Sequence, residues 1–444
     1  LSSTLTKYYF CHTVFHVMSS VQKIFRTSFF LFAFAQIFHL ARINFPEKYS
    51  YDEVHYVNAS KEYLNGHLYA NWEHPPLGKF LIASGISLFG DRPLGWRFMS
   101  TLFGSLTLVG VYLLGWLLFQ DQMVALWIYC LTLFNQINYV QSRIAMLDGF
   151  MMSFIVWGLL GFFESMNFER SPTYRKIALL FSSCMFGCAI SSKWFGLFAW
   201  LGSLGLIFLS YWKNKKKPPV LENGKFFLIS FFLVPFLVYF AHYIPLFLKV
   251  LKNQDLFSIY KTIFSFQKEM YLGQINIDKP HPYMSWWWEW PFLNRPIWYT
   301  FDGELDNAFV RGVICLGNPW IMWTGVPAIV FCLWDFLQRK SSLAFVIVYF
   351  YSVFLGAWIV IPRKVLFYYY YYPSAMVLSF ALAHFFHSPL LLKICNKCRI
   401  QASSLSWMYL GISLGFFIYF MPILAAFKIP VQSYNIWMWF QRWI

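Results

Sequence analysis

Two adjacent carboxylates, Asp52 and Glu53, open the segment Tyr51-Asp52-Glu53-Val54-His55-Tyr56, and a stiff element, His74-Pro75-Pro76-Leu77-Gly78-Lys79, follows. A carboxylate there has two readings. It can favour the N-terminus of a helix expected over about 52–65 through the helix dipole, or it can take a proton from a hydroxyl in a transition state. Lys79 then enters a short apolar stretch, 77–90, expected to lie at a membrane interface. A lysine at that edge snorkels or meets an anion, and a lipid phosphate is the obvious anion. More cations stand in similar surroundings: Arg97 in Gly95-Trp96-Arg97-Phe98, Arg143 shortly before Asp148, Lys193 in Ser191-Ser192-Lys193-Trp194, and Arg363 with Lys364 before the aromatic run from Phe367 to Tyr372. Three of these features have a structural alternative: an Arg143–Asp148 ion pair, a snorkelling Lys193, and an interfacial belt rather than a sugar platform for the tyrosines. A second aromatic stretch holds His281-Pro282-Tyr283, Trp286-Trp287-Trp288-Glu289-Trp290-Pro291 and Arg295-Pro296. Tryptophans of this kind lie at interfaces or stack on sugars. An outward carboxylate base with cations at headgroup depth suits transfer from a lipid phosphate to an outside acceptor, the cations offsetting charge on the leaving phosphate. No glycine-rich nucleotide loop is visible in the sequence, which fits a lipid-linked donor.

The elements that position these residues are membrane spans. Of 444 residues, 59% are hydrophobic and 12% charged, about half the charge of a soluble domain. An all-α polytopic fold follows. Runs of about 20 apolar residues cross a bilayer, and eleven are expected: 27–44, 94–118, 122–139, 144–163, 175–192, 194–212, 226–248, 312–334, 342–361, 365–386 and 403–425. The net charge of +16 reads as loop lysines and arginines that fix topology rather than as a nucleic-acid surface. With the N-terminus in the cytoplasm, the loops holding Lys7, Lys23, Arg26, Arg170, Arg175, Lys176, Lys213, Lys215–Lys217, Lys225, Arg339, Lys340, Lys393, Lys397 and Arg399 all fall inside. The short outer turns hold Arg143, Lys193, Arg363 and Lys364. Two long segments, about 45–93 and 249–311, then lie outside with the C-terminus. Residues 1–26 read as a cytoplasmic segment, with Met18 a candidate start, and 27–444 as one membrane domain. Most cysteines sit in apolar runs, and the lone Cys395–Cys398 CxxC is half a zinc site. No metal or cofactor is expected.

On these motifs the chain resembles the protein O-mannosyltransferases, C-type glycosyltransferases that use a dolichyl- or polyprenyl-phosphate mannose donor. The Asp52-Glu53 loop and His74-to-Lys79 carry the resemblance most specifically. Arg97-Phe98, Arg143 to Asp148, Ser192-Lys193-Trp194, His281-Pro282-Tyr283, Trp290-Pro291, Arg295-Pro296, Gly317-Asn318-Pro319 and Pro362-Arg363 extend it. The resemblance implies inverting transfer of mannose from polyprenyl-phosphate mannose to Ser or Thr hydroxyls of exported proteins, at the outer face of the membrane. It implies Asp52 as base with Glu53 orienting the acceptor or pairing with a cation, and Lys79, Arg97, Arg363, Arg143 and Lys193 as phosphate ligands. His74, Asp148, Trp290 and Arg295 are further candidates. The 249–311 loop has no room for the β-trefoil MIR domain of eukaryotic members, so the chain resembles the bacterial, plasma-membrane type; a eukaryotic member would sit in the endoplasmic reticulum. A related transferase acting on a glycolipid such as lipid A shares the carboxylate loop. A transporter or flippase would typically show repeated halves, and none is visible in the sequence. An intact carboxylate loop argues against a non-catalytic scaffold. Sugar, acceptor proteins and oligomeric state leave no mark in the sequence.

Overall fold

The computed structural model describes residues 22–444 apart from 68–69, 215–217, 246–247, 249–254, 278, 306–307 and 400. The candidate start at Met18, Lys7 and the basic run Lys215–Lys217 lie outside the described residues. The chain is mostly helical. Helix α1 covers 22–40. Then come α2 (Glu53–Leu64), α3 (Leu77–Phe89), α4 (Pro93–Phe119), α5 (Gln122–Leu133), α6 (Gln136–Gln141), α7 (Leu147–Ser165), α8 (Pro172–Ser192), α9 (Gly196–Asn214) and α10 (Gly224–Ala241). After them follow α11 (Leu256–Ile275), α12 (Pro319–Arg339), α13 (Ser342–Val360), α14 (Tyr372–Phe386), α15 (Pro389–Lys397) and α16 (Ala402–Leu424). Six of these, α4, α7, α10, α12, α13 and α16, are long and apolar enough to cross a bilayer. The bent pair Tyr368–Phe386 with Pro389–Lys397 would make a seventh. The chain is a polytopic membrane protein.

Local chemistry sets the helix starts. Asp121 accepts from the Met123 and Val124 amides, Ser171 caps α8 ahead of Pro172, and Asn318 caps α12 ahead of Pro319. A side-chain acceptor followed by proline at the first helical position is a strong start signal. Two expected runs are interrupted. The run 122–139 breaks between α5 and α6, where the freed carbonyl of Phe134 accepts from the Asn318 side-chain amide at 3.0 Å. The run 226–248 contains a π turn at Ile229–Leu233 just ahead of Pro235 and its long helix ends at Ala241. Proline has no N–H to continue the ladder, so the turn widens there.

The all-α expectation needs correction. A small antiparallel sheet joins β1 (Ile297–Leu305), β2 (Phe309–Cys315) and β3 (Ile429–Pro430) in that order. The start of the run expected over 312–334 therefore belongs to β2, and α12 begins only at Pro319. The aromatic and β-branched run Ile297-Trp298-Tyr299-Thr300-Phe301 favours a strand. Opposite Phe301 stands Gly312, where a Cβ would come within 2.6 Å of the Trp298 ring. The third strand comes from the segment after α16, so the C-terminal stretch is stitched onto the same end of the bundle.

Arginines define that end. Arg143, before α7, donates to the carbonyls of His39 and Ala41 at the end of α1, at 3.0 and 2.6 Å. Arg97, near the start of α4, donates to Ile43 at 3.1 Å. Arg42 donates to Ala425 and Ala426, just past α16, at 3.2 and 3.0 Å. Cations complement the negative end of a helix and its unpaired carbonyls. The ends of α1 and α16, the start of α4 and the α6–α7 turn are thereby tied together.

Candidate active site

The adjacent carboxylates diverge. Glu53 is fully buried, and both its oxygens are taken. Arg97 Nε and Nη2 form a two-pronged pair with it at 2.8 Å each, and the Ser50 and Ala145 amides donate at 2.8 Å. The five N–H groups of Arg97 are spent on Glu53 and on the carbonyls of Ile43, Pro46 and Lys48. Of the two roles expected for Glu53, the structure shows the pairing with a cation, and that cation is Arg97, expected as a phosphate ligand: the pair joins the segment before α2 to α4 and the α6–α7 turn. Neither partner has a lone pair or N–H left for substrate.

Asp52 points elsewhere, as neighbours at a helix start must. It stands at the N-cap of α2 without capping it. Its Oδ2 lies 3.3 Å from the Tyr56 hydroxyl, which donates to it. Burial pushes its carboxyl above the ordinary carboxylate range and Asp148 adds to this, while Lys193 and His55 work against it. A half-buried carboxylate of raised basicity is a better proton acceptor. The preceding residue, Tyr51, has φ 49, a left-handed conformation uncommon for a bulky side chain. Its ring is held by stacking on Tyr299 at 5.3 Å and 8°. Strain that the surroundings over-determine clusters at functional sites.

Lys193, at the C-cap of α8, reaches Asp148 in the first turn of α7 at 2.8 and 2.9 Å, both groups buried. Asp148 thus pairs with Lys193 and not with Arg143, its alternative partner, and Lys193 does not snorkel. Its ammonium lies 5.0 and 4.9 Å from the Tyr369 and Tyr370 ring centres. Tyr368 to Tyr372 are all buried, so this run is an inner wall and not an interfacial belt.

A cleft of about 500 Å³ opens beside these groups. Its walls are mostly apolar, among them Ile190, Phe195, Leu197, Phe198, Trp358 and Ile361. Its polar lining includes Glu73, His74, Lys193, Gln267, Gln274 and Arg363, with Tyr370. Arg363 gives Nε to the Val365 carbonyl at 3.0 Å and Nη1 to Gln274 at 2.6 Å; its Nη2 meets no acceptor among the described residues. The His74 ring packs edge-on against Tyr56 at 5.7 Å. Burial first, then Lys193, Lys79 and Arg363, holds its pKa well below the usual histidine value. Asp52 does not itself line the cleft; it stands behind His74 and Tyr56, within the field of Lys193.

The remaining candidates fall outside the cleft. Lys79 donates to the carbonyls of Asn71 and, at 2.8 Å, His74. It shapes the loop that presents His74 and does not face the cleft. Arg143 is occupied by the end of α1, as above. Trp290 is buried, donates to Ser285 at 3.0 Å and backs Tyr370 and Trp358. Arg295 donates to Pro282 at 3.0 and 3.2 Å and stacks on Tyr283 at 5.4 Å. Lys79 and Arg143, expected as phosphate ligands, thus donate to backbone carbonyls, Arg97 donates to Glu53 and to backbone carbonyls, and Trp290 and Arg295 pack outside the cleft lining. Gln267 and Gln274, on α11, escaped the sequence reading because a lone glutamine on an amphipathic helix carries no motif. Among the described residues no three His, Cys, Asp or Glu side chains gather as a metal site.

Family models match almost the whole chain: one described as dolichyl-phosphate-mannose-protein mannosyltransferase over 27–96 and 91–251, and one for the C-terminal four-transmembrane region of protein-O-mannosyltransferase over 259–443. The chain belongs to this protein mannosyltransferase family. Among curated relatives, the polyprenol-phosphate-mannose–protein mannosyltransferase of Mycobacterium tuberculosis is 24% identical over 88% of this chain and 86% of its own length. Among solved structures, the Saccharomyces cerevisiae Pmt1–Pmt2 complex bound to its sugar donor aligns with a TM-score of 0.80 at 16% identity, over 94% of this chain and 93% of that one. ArnT from Cupriavidus metallidurans bound to undecaprenyl phosphate aligns with a TM-score of 0.58 at 14% identity, over 89% and 70%. The mannosyltransferase chain thus shares the fold of membrane glycosyltransferases, and the Asp52 loop, His74, Lys193 and Arg363 all lie within the matched segments.

Proposed function

We propose that the chain transfers mannose from polyprenyl-phosphate mannose to Ser or Thr hydroxyls of exported proteins, with Asp52 as base. The observation that carries this reading is the cleft: a long apolar wall for a lipid tail ends at two cations, Lys193 and Arg363, near a carboxylate of raised basicity. In the family, relatives' names state the donor and the protein acceptor. Lys193 and the free edge of Arg363 hold the phosphate and offset its charge as it leaves, so the reading calls for no metal or cofactor. The acceptor oxygen bonds to the anomeric carbon as the carbon–oxygen bond to phosphate breaks. Its proton passes to Asp52, and polyprenyl phosphate leaves with the electron pair. Single displacement from the opposite face inverts the anomeric centre.

The same reading places the cleft outside the membrane's cytoplasmic face. Eleven passages alternate if α5 with α6 counts as one broken span, and α1, α8, α9 and the 368–386 segment each cross. The shared arginine clamps at the ends of α1 and α16 support this count. The chain then forms one membrane domain over 27–444, in a bacterial plasma membrane, with the N-terminus inside. Cysteines placed at Trp288 and Lys397, in a chain otherwise free of cysteine, are expected to label from opposite sides of the membrane; labelling from one side would break the alternation.

Arg363→Gln is expected to raise the donor KM by about ten- to a hundredfold, the value of one charge-assisted hydrogen bond, with the folded fraction unchanged. An unchanged KM would remove Arg363 from the phosphate site. The function itself is tested by giving purified protein polyprenyl-phosphate [¹⁴C]mannose with a Ser/Thr peptide or with lipid A. Label in the peptide, released by an α-mannosidase or a β-mannosidase according to anomer, is the expected result; label only in lipid A would favour the glycolipid reading.

A further inference from the structure

A second cationic site lies away from the donor cleft and shares no residue with it. It sits where the outer ends of α1 and α16 meet β2. Arg42 follows α1 at φ 59 and Ala426 follows α16 at φ 52, positions where glycine is the usual occupant. An arginine there is held by its side chain: it donates to Ala425 and Ala426 and lies 4.7 Å from the Phe45 ring centre and 4.1 Å from that of Phe427. Its Nη1 has no acceptor among the described residues. Arg311, on β2, approaches the same Phe45 ring at 5.1 Å.

Arg311 is the unusual member. Its Nε is buried with no hydrogen-bond partner, and none of its N–H groups meets an acceptor among the described residues. The acid opposite it in the hairpin is Asp302, but that carboxylate is engaged by Lys48. Two guanidinium groups therefore share one aromatic ring, and neither forms an ion pair among the described residues. A buried guanidinium N–H without an acceptor is costly, and a guanidinium fork matches phosphate oxygens in geometry and charge. On the eleven-span reading, the end of α1, tied down by the Arg97 and Arg143 clamps, lies where spans meet the headgroup layer.

We propose that Arg311, with the free edge of Arg42, forms a second anion site that takes a phosphate group. The group is either the phosphodiester of an outer-leaflet phospholipid or a free phosphate. Binding to the purified full chain in detergent tests this, with dihexanoyl phosphatidylglycerol, inorganic phosphate and, as the phosphate-free control, dihexanoylglycerol as probes. Wild type is expected to bind at least one phosphate probe more tightly than the control. Arg311→Gln should weaken that binding about tenfold or more, Arg311→Lys, which keeps the charge but not the fork, should fall between the two, and Arg363→Gln, which alters only the donor cleft, should leave it in place. Binding of the phosphatidylglycerol alone identifies a lipid headgroup; equal binding of inorganic phosphate identifies the free anion. The site is overturned if neither phosphate probe exceeds the control in wild type, or if Arg311→Gln binds as wild type does.

Discussion

Glu53→Gln is expected to leave little folded protein. The amide keeps one acceptor oxygen but turns an NH₂ group toward donors, whether those of Arg97 or the Ser50 and Ala145 amides that now point at the carboxylate. The Arg97 guanidinium is left buried without a counter-charge. Removing one partner of a buried pair costs about 3–5 kcal/mol, a large share of the roughly 5–15 kcal/mol that holds a domain folded. The thermal midpoint in detergent should fall sharply. Replacing both partners, Glu53→Gln with Arg97→Met, should cost less than the two single changes together, because no lone charge remains. A Glu53→Gln chain with an unchanged midpoint and a hundredfold lower turnover would instead return Glu53 to the chemistry.

Asp52→Asn has the opposite profile. Among the described residues the side chain accepts one hydrogen bond, from Tyr56 at 3.3 Å, and caps nothing, so an isosteric amide should fold normally. It cannot accept the acceptor's proton, and that help is typically worth about 10²–10⁴ in rate. Turnover should drop at least a hundredfold while donor affinity holds, the mark of an interaction used in the transition state. The pH profile supplies an independent readout. Asp52 acts as base when ionised, and burial raises its pKa. The rate of wild type should therefore fall as pH drops through a value above the ordinary carboxylate range, and in Asp52→Asn that limb should vanish. A wild-type limb at the ordinary carboxylate value would speak against Asp52.

Much of this was legible in the sequence because membranes leave a plain signal. Apolar runs of span length marked α4, α7, α8, α13 and α16 to within a few residues. The residue types of the site were legible too: a carboxylate, a histidine and cations at span ends. What failed was the division of labour among like residues. A charge beside a span looks the same whether it meets a phosphate or a carbonyl, and the carbonyls that occupy Arg97 and Arg143 come from segments 49 to 104 positions away. Closeness in sequence offers Arg143 as a structural partner for Asp148; its partner is Lys193, 45 positions on. The 297–315 hairpin was hidden by apolar composition, which reads alike in a strand and in the start of a span. Composition alone favours an interface for the tyrosine run, whereas packing against Trp290 and Trp358 puts it inside.

The most direct measurement is a paired one on wild type, Asp52→Asn and Arg363→Gln: the Kd for polyprenyl-phosphate mannose, and the single-turnover rate of mannose transfer to a Ser/Thr peptide at saturating donor. Wild type should bind and transfer, Asp52→Asn should bind with the wild-type Kd and transfer at least about a hundredfold more slowly, and Arg363→Gln should bind about ten- to a hundredfold more weakly. Transfer by Asp52→Asn at the wild-type rate, with donor affinity untouched in Arg363→Gln, would contradict the assignment of this cleft and this base.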